Sequence, residues 1–515
     1  MKENIQCLRG IAIIFVLLFH LFPRSFPNGF LGVDMFFVIS GYLMTMILTS
    51  KEDLLSSKTY IEFFYRRAHR ILPLYYLATL LILIGVHIFL HEFWWNDNIR
   101  YSLFSQILIL NQLIIHDSGD YFKQFLNDGS SRNSFIHLWS LSVEFQFYLM
   151  FPFMFIVTYF LRNTTRKIIY FGCIASLSLF FHLTANYQFV FQFTIARFWQ
   201  FLLGGIAYFV NQRLNEFDMN SNKTKEAVSF PSSIHLIILT LLCSLPLLSS
   251  TFPTRFIRVI ITTLTALLLI EDGQRSKDNL ILSSPILSYI GDASYSIYLV
   301  HWPVITFFDG PSMLDRQNCI IWTIVISLIL YHGFERFYRQ QTWRVVIPLI
   351  CILIFLNIGA QLAVRLNKIP SIIASNLNEE DRKLYYTNVN YTDASWWGHE
   401  DCDYKLWSNE SFKGITFPSY LHIHRVWGHC QWKPGNGSAR VFVVGNSWAV
   451  NFMPLIRKVF KSDYYKDLQS MMLTENYVLY HYGSWSSEQN LRLTKKLVEQ
   501  VKPDVLIIFA KQVNL

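Results

Sequence analysis

Long apolar runs alternate with short polar segments over the first two thirds of this 515-residue chain. About twenty apolar residues are needed to cross the hydrocarbon core of a bilayer as a helix, and runs near that length recur up to residue 364. The pattern predicts a polytopic α-helical membrane protein, with about ten helices and one further linking helix. The predicted spans are 6–22, 30–49, 72–90, 139–161, 168–184, 194–210, 234–250, 256–270, 286–308, 319–338 and 344–364.

The chain changes character after residue 370. A polar, tryptophan-rich stretch comes first, and an apolar strand, a Gly-Asn-Ser turn and a helical stretch follow in ARVFVVGNSWAVNFMPLIRKVF. A further helix and a second apolar strand lie in LRLTKKLVEQVKPDVLIIFA. This alternation predicts a small α/β domain with a parallel sheet. The expected division is a membrane domain over 1–343, a linking transmembrane helix over 344–370 and an extracytoplasmic region over 371–515.

The composition supports a membrane protein and excludes a typical soluble one. Hydrophobic residues make up 52% of the chain and charged residues only 15%, whereas soluble domains carry about 25% charged residues. The net charge of +9 resides mostly in short loops, and no aromatic-basic motif for nucleic acid accompanies it, so no nucleic-acid partner is expected. The seven cysteines show no CxxC-like spacing, and no bound metal is expected.

The loop charges predict the orientation. With the N-terminus in the cytoplasm, the inner loops hold sixteen Lys and Arg residues and the outer loops hold six, in agreement with the positive-inside rule. The first run lacks a small-residue cleavage site and is expected to be a retained span. Eleven spans then place the C-terminal region outside the cell or in a lumen, which suggests the plasma membrane or the secretory pathway.

The C-terminal region carries features typical of an oxidising compartment. Three sequons predict glycosylation at Asn390, Asn409 and Asn436. Cys402 and Cys430 are the two cysteines that this topology places on the outer side, and we expect them to form a disulfide.

Several ionisable residues interrupt the apolar runs. Glu144 lies in the middle of HLWSLSVEFQFYLMFPF, and a charged group at membrane depth is costly unless it is paired or hydrated. A structural glutamate that bonds to a neighbouring helix is the alternative. The number of such groups favours a hydrated functional cavity over a dry core, although any one histidine could be a hydrogen-bonded packing residue. The others are Arg9, His20, Asp34, Arg197 and His301.

Three arginines lie together at the predicted cytoplasmic end of the third span. Arg66 and Arg70 share a helical face, and Arg67 lies between them. Guanidinium groups suit bidentate recognition of phosphate. The alternative is that these charges only set the membrane orientation.

Five blocks of the sequence, in order, resemble the acyltransferase family 3 membrane proteins over roughly 1–345. They are CLRGIAIIFVLLFH, GFLGVDMFFVISGYL, FYRRAHRILPLYY, HLWSLSVEFQFY and GDASYSIYLVHWP. The resemblance implies transfer of an acyl group, often acetyl, from cytoplasmic acyl-CoA to an extracytoplasmic acceptor, commonly a sugar. It also implies that His20 is the essential histidine, Arg9 its arginine partner and Glu144 the motif carboxylate. Arg66 and Arg70 match the basic motif for the CoA phosphates.

The C-terminal region resembles the SGNH-hydrolase-like domain that is fused to some members of this family. The resemblance places a nucleophilic serine at Ser447, in a turn where Asn446 replaces the usual aspartate. No Asp-x-x-His motif follows, and a serine without its base is a weak nucleophile. The resemblance therefore implies a partial domain.

The sequence as a whole predicts an integral membrane O-acyltransferase. Its expected donor is acyl-CoA, most simply acetyl-CoA, and its expected acceptor is a carbohydrate or a lipid-linked molecule. Membrane lipid is the third expected partner. His20 would act as general base or carry the acyl group briefly. Glu144 would orient a histidine or keep the cavity hydrated, and His301 would position the acceptor. The remaining candidates for substrate binding are Arg9, Asp34, Arg66, Arg67, Arg70 and Arg197. The alternatives are a transporter or flippase and a non-catalytic binding protein.

Overall fold

The computed structural model separates the chain into two compact units, residues 1–371 and 372–515. The first unit is helical and the second contains a β-sheet. The structure describes residues 3–51, 53–90, 94–110, 133–161, 163–186, 190, 193–220, 232–248, 253–270, 281–308, 313–365, 378–379, 402–403, 428–445, 453, 456–457, 459–472, 495–496 and 498–509.

Every predicted span overlaps one or more helices of the first unit. A π-helical turn, Leu330–Glu335, joins the helices Met313–Ile329 and Arg336–Gln340. The helices are α1 (Glu3–Leu21), α2 (Gly32–Thr49), α3 (Ser57–Phe89), α4 (Trp95–Gln106), α5 (Trp139–Phe160), α6 (Thr164–Thr184), α7 (Phe198–Asn220), α8 (Ser232–Ser244), α9 (Thr254–Leu269), α10 (Pro285–Asp292), α11 (Ser294–Phe308), α12 (Met313–Ile329), α13 (Arg336–Gln340) and α14 (Trp343–Arg365).

Three helical features differ from the sequence prediction. Helix α3 begins at Ser57, well before the predicted start at residue 72, because its first turns are amphipathic and carry the arginines. Helix α4 is polar along much of its length, so a search for apolar runs misses it. The predicted span 286–308 is two helices, α10 and α11, which meet at Ala293.

Seven helical segments among the described residues are long and apolar enough to cross a membrane. This establishes a multi-pass membrane protein, while the full count of eleven spans stays a prediction. The seven segments are Glu3–Leu21, Gly29–Thr49, Ser57–Phe89, Ile136–Phe160, Thr164–Thr184, Met313–Gln340 and Trp343–Val364.

Helices α2 and α7 approach each other through glycine. A Cβ atom on Gly41 would collide with the backbone carbonyl of Phe201, and a Cβ atom on Gly204 would collide with the carbonyl of Val38. Small residues at such a crossing let two membrane helices approach closely. This contact holds α2, which carries Asp34 and Ser40, against the rest of the bundle.

Gly41→Ala should therefore destabilise the protein. The added methyl group meets rigid backbone rather than a mobile side chain, and overpacking of this kind typically costs about 1–3 kcal/mol. Thermal unfolding in a fixed detergent measures the effect. Gly172→Ala in α6 is the matched control, since a Cβ atom there meets nothing within 4 Å, and an added alanine favours the helix by up to about 1 kcal/mol. Equal unfolding temperatures for the two variants would contradict the expectation.

The second unit contains a five-stranded sheet in the order β1-β2-β4-β3-β5. Strand β3 pairs in parallel with both β4 and β5, whereas β2 pairs antiparallel with β1 and β4. The two predicted strands, β3 and β5, are thus parallel neighbours. Strand β4 was not predicted, because YKDLQSMM is largely polar. The strands are β1 (Cys402–Asp403), β2 (Gly428–Trp432), β3 (Ala439–Gly445), β4 (Tyr465–Met472) and β5 (Val505–Phe509).

The predicted chemistry of this unit is only partly within the described residues. Asn436 is exposed, while the other two sequons and the Asn446-Ser447 turn lie outside them. Cys402 and Cys430 belong to neighbouring strands, with Cys402 opposite Trp432 in the register. Their side chains lie outside the described part of the chain, so the disulfide stays a prediction, as does the SGNH-like character of the domain.

Candidate active site

The helical unit contains a large cavity of about 790 Å³, with the open space at its mouth included. Side chains from α1, α2, α3, α5 and α11 form its walls, and both charged and apolar groups face it. The large cavity is lined by Arg9, Val33, Phe36, Phe37, Ile39, Ser40, Leu43, Met44, Arg67, Arg70, Ile71, Ser140, Leu141, Glu144, Tyr148, Ser294, Tyr295 and Tyr298.

A smaller cavity of about 320 Å³ lies beside His20, and we call it the His20 chamber. Its walls come from α1, α2, α5, α9 and α11 and from the 3₁₀ turn Gly29–Leu31. The His20 chamber is lined by His20, Phe30, Val33, Asp34, Trp139, Arg258 and Tyr298.

The two cavities lie end to end along the same helices. On α1, Arg9 lines the large cavity and His20 lines the chamber. Eleven residues of helix separate them, which is about 16 Å along the axis. On α11, Ser294 lines only the large cavity, and Tyr298, one turn later, lines both. Val33 on α2 also lines both cavities, so the two cavities adjoin at Val33 and Tyr298.

Three guanidinium groups face the large cavity. Arg67 and Arg70 of α3 lie on its wall with Arg9, and Glu144 is the one carboxylate among the lining residues. Arg9 donates to the Ser294 hydroxyl from Nε at 3.2 Å and from Nη2 at 2.8 Å. The net positive charge of this wall suits an anionic group such as a phosphate.

Two of the three arginines of α3 line the large cavity, and they are not the pair that the helical spacing predicts. Arg66 is exposed and forms an ion pair with Glu62 one turn earlier, and it is not among the lining residues. The predicted pair Arg66 and Arg70 is replaced by Arg67 and Arg70. The reason is that α3 buries the stripe that contains Phe63 and Leu74, and Arg67 and Arg70 lie on that stripe.

Glu144 faces the large cavity and accepts hydrogen bonds from the hydroxyls of Ser40 and Tyr148. The Tyr148 hydroxyl also lies 3.3 Å from Ser40 Oγ. The partners of Glu144 in the structure are thus hydroxyl groups rather than a histidine, so the predicted role of orienting a histidine is not seen. The carboxylate instead holds α2 to α5 and keeps this wall polar.

Three buried imidazole rings lie around the chamber. The ring of His301 is 5.0 Å from that of His20 and 5.7 Å from that of His137, measured between centroids. His20 Nδ1 lies 2.8 Å from the Val16 carbonyl oxygen. Since a carbonyl only accepts, Nδ1 carries the proton, and the neutral ring keeps its lone pair on Nε2. His20 can therefore accept a proton through Nε2.

His301 is oriented in the same way as His20. Its Nδ1 lies 2.7 Å from the Tyr298 carbonyl oxygen, which again leaves the lone pair on Nε2. His301 is fully buried and packs behind His20 rather than lining the chamber. His137 was not assigned a role from the sequence, although the block HLWSLSVEF that contains it was recognised.

Asp34 is part of a buried ion cluster. Its Oδ1 lies 3.1 Å from Arg197 Nη1 and 3.3 Å from Arg258 Nη1, and it accepts a hydrogen bond from Gln200. The residues Asp34, Arg197 and Arg258 are each at most 2% exposed. Arg197 lines neither cavity, which favours a structural role over the predicted substrate contact. Asp34 and Arg258 do line the chamber.

Arg258 was missed in the sequence analysis. It lies in the apolar stretch FIRVIITTLTALLL of α9, so the rule that identified Glu144 as a charge at membrane depth could have found it. The chamber thus has a cation as well as an imidazole on its wall. Among the residues that the structure describes, no three His, Cys, Asp or Glu side chains are placed to hold a metal ion.

A helical bundle with a positively charged cavity beside a buried histidine fits the class of membrane acyltransferases. The chain belongs to the acyltransferase 3 family, whose model for the acyltransferase domain matches residues 2–332. The resemblance inferred from the five sequence blocks is therefore confirmed. No solved structure matches the chain significantly.

Curated relatives include proteins of Staphylococcus aureus. The protein named "Putative O-acetyltransferase SACOL0978" (strain COL) is 31% identical over 360 residues, which is 65% of this chain and 58% of that protein. The protein named "O-acetyltransferase OatA" (strain NCTC 8325 / PS 47) is 29% identical over 335 residues, or 63% of this chain and 53% of that protein. The chain thus spans little more than half the length of these relatives.

Proposed function

We propose that this protein is a membrane O-acyltransferase that moves a short acyl group from acyl-CoA to a hydroxyl group, on a carbohydrate or a lipid-linked acceptor. The observation that carries the proposal is that the cavity with the three arginines adjoins the His20 chamber, since Val33 and Tyr298 line both. The family and the relatives named as O-acetyltransferases support the reaction class.

The donor would bind with its phosphates at Arg9, Arg67 and Arg70. Guanidinium groups recognise phosphate in bidentate fashion, and the large cavity beyond them gives room for the pantetheine arm. The roughly 16 Å of helix between Arg9 and His20 would then be spanned by this arm. The arginine end faces the cytoplasm in the predicted topology, where acyl-CoA is made, and the His20 end faces the acceptor side.

His20 would act as the general base. Its Nε2 takes the proton of the acceptor hydroxyl while that oxygen attacks the thioester carbonyl. The carbon–sulfur bond then breaks, the acyl ester forms, and the leaving CoA thiolate takes the proton from the imidazolium. Arg258 on the chamber wall would stabilise the negative charge that develops on the carbonyl oxygen.

The direct test uses the purified protein in lipid with acetyl-CoA that is radiolabelled in the acetyl group and a panel of oligosaccharide acceptors. Release of free CoA together with label in an alkali-labile ester of the acceptor supports the proposal. A folded protein that releases no CoA above the protein-free background with any acceptor would refute it.

The arginines provide a prediction about donor binding. Arg67→Ala and Arg70→Ala should each raise the KM for acetyl-CoA by roughly 10-fold or more with a smaller change in kcat, because loss of one charge-assisted phosphate contact costs about 1.5–3 kcal/mol of uniform binding. Initial rates over a range of acetyl-CoA concentrations measure this.

Arg66→Ala is the matched control for these two variants. It removes the same side chain from the same helix, but Arg66 is exposed and lies outside the cavity lining. Its KM for acetyl-CoA should stay close to that of the unmodified protein. A larger KM increase for Arg66→Ala than for Arg67→Ala would show that the phosphates bind outside the large cavity.

A further inference from the structure

We propose that Val33 and Tyr298 form a constriction between the large cavity and the His20 chamber, and that this constriction selects donors with a short acyl chain. The inference rests on the proposed function and adds the residues that determine donor specificity. Val33 and Tyr298 line both cavities. They therefore lie where the two cavities adjoin, and the reacting end of a donor held by the arginines would pass them on its way to His20.

Hydrogen bonds hold the Tyr298 ring at this position. Its hydroxyl lies 2.6 Å from the His137 carbonyl oxygen and 2.5 Å from Ser140 Oγ. The carbonyl can only accept, so Tyr298 donates its single proton to His137, and Ser140 donates to Tyr298. The side chain is thus tied to the start of α5 at its tip and to α11 at its base. This makes the constriction a fixed part of the site rather than a mobile side chain.

Val33 lies on a different helix, α2, and its position is set by that helix. It belongs to the first turn of α2, next to Asp34, whose carboxylate is fixed by Arg197 and Arg258. The buried ion cluster therefore sets the position of the Val33 side of the constriction. A wider opening requires either a smaller residue at position 33 or the loss of the Tyr298 ring.

The chamber beyond the constriction is a poor site for a long alkyl chain. Its volume is only about 320 Å³ even with the open space at its mouth included, and His20, Asp34 and Arg258 contribute polar groups to its wall. An alkyl chain that packs against buried charged groups removes polar contacts from those groups and supplies none in return, which is unfavourable. An acetyl group carries a single methyl and avoids this cost. Both size and polarity therefore favour a short acyl group.

The experiment compares acetyl-CoA, butanoyl-CoA and hexanoyl-CoA as donors with the protein in lipid. The measured quantity is the ratio of kcat/KM for each longer donor to that for acetyl-CoA. One methylene in a close-fitting pocket changes this specificity roughly 10–200-fold. We expect Val33→Ala and Tyr298→Leu to raise the butanoyl-to-acetyl ratio by about 10-fold or more, and Val33→Leu to lower it.

Tyr295→Leu is the matched control. Tyr295 lies on the same helix, nearly one turn away from Tyr298. Its hydroxyl also donates to a backbone carbonyl, that of Ile71 at 2.9 Å. It lines the large cavity but not the His20 chamber. Its replacement should change the rates for all donors alike and leave their ratio unchanged. Tyr298→Phe keeps the ring without its hydrogen bonds and should keep a ratio nearer to that of the unmodified protein than Tyr298→Leu does.

The outcomes separate the two proposals. In one outcome, the variants Val33→Ala, Val33→Leu and Tyr298→Leu all release CoA with the same donor ratio as the unmodified protein. This result would overturn the constriction but would leave the proposed O-acyltransferase function standing. A ratio that shifts equally in Tyr295→Leu also overturns it, since the selection would then lie in the large cavity. Absence of CoA release with every donor from a folded protein overturns the proposed function and the constriction together.

Discussion

His20→Gln should lower the kcat of acyl transfer by about 10²–10⁴-fold, the usual contribution of a positioned general base. Glutamine fills much of the space of the imidazole but cannot take up a proton from the acceptor hydroxyl. The Nδ1 contact with the Val16 carbonyl leaves Nε2 as the basic nitrogen of the neutral ring, and a glutamine amide has no basic nitrogen. Release of CoA from acetyl-CoA measures the loss, and the unfolding temperature in detergent shows whether the fold is retained.

His182→Gln is the matched control for this variant. His182 is also buried at the end of an apolar helix, and its Nδ1 lies 3.1 Å from the Ala196 carbonyl oxygen. It lines neither the large cavity nor the chamber. Its replacement should leave kcat close to that of the unmodified protein. An equal loss of kcat in both variants would assign the effect of His20 to packing rather than to chemistry.

Asp34→Ala should destabilise the protein by about 3–5 kcal/mol, because removal of one partner leaves buried charge without compensation. Asp34 faces two guanidinium groups, those of Arg197 and Arg258, and all three residues are at most 2% exposed. The low exposure of the cluster leaves little solvent to screen the two remaining cations. The fall in unfolding temperature, measured in a fixed detergent, is the test.

Glu62→Ala provides the comparison at the protein surface. Glu62 also pairs with two cations, Lys51 and Arg66, but its side chain is 38% exposed. Exposed pairs contribute about 0–1 kcal/mol each, so this variant should unfold within a few degrees of the unmodified protein. If Asp34→Ala unfolds at the same temperature as Glu62→Ala, the buried cluster is not a stabilising element, and its position beside His20 would have to be explained by function alone.

The helical architecture could be predicted because the physical signal is local. Each apolar run gives a helix in the structure, since the length and composition of a segment decide whether it can remain in a bilayer. The same criterion overlooks polar helical turns, which explains why α3 begins earlier than predicted and why α4 was missed. Strand β4 was missed for a related reason, since its polar sequence is held in the sheet by its neighbours β2 and β3.

The candidate residues could be found individually, but their grouping could not. A charge or imidazole at membrane depth is visible in the sequence, and His20, Asp34 and Glu144 were found in this way. Helical spacing alone allows Arg66 and Arg70 to share a face, yet the buried side of α3 selects Arg67 and Arg70. Which side of a helix is buried depends on what packs against it, and that information is spread over distant parts of the chain.

The sequence by itself determined the membrane architecture, the family and the residues able to carry chemistry, because hydrophobicity, ionisable groups and motif spacing are properties of short segments. Only the tertiary structure decided how these residues divide between a positively charged cavity and the adjoining His20 chamber. It pairs Asp34 with Arg258, residues more than two hundred positions apart, and it gives Glu144 hydroxyl partners rather than a histidine. These contacts follow from the packing of helices α1, α2, α5, α9 and α11 around one axis, where burial leaves each charge dependent on the neighbours that the fold supplies.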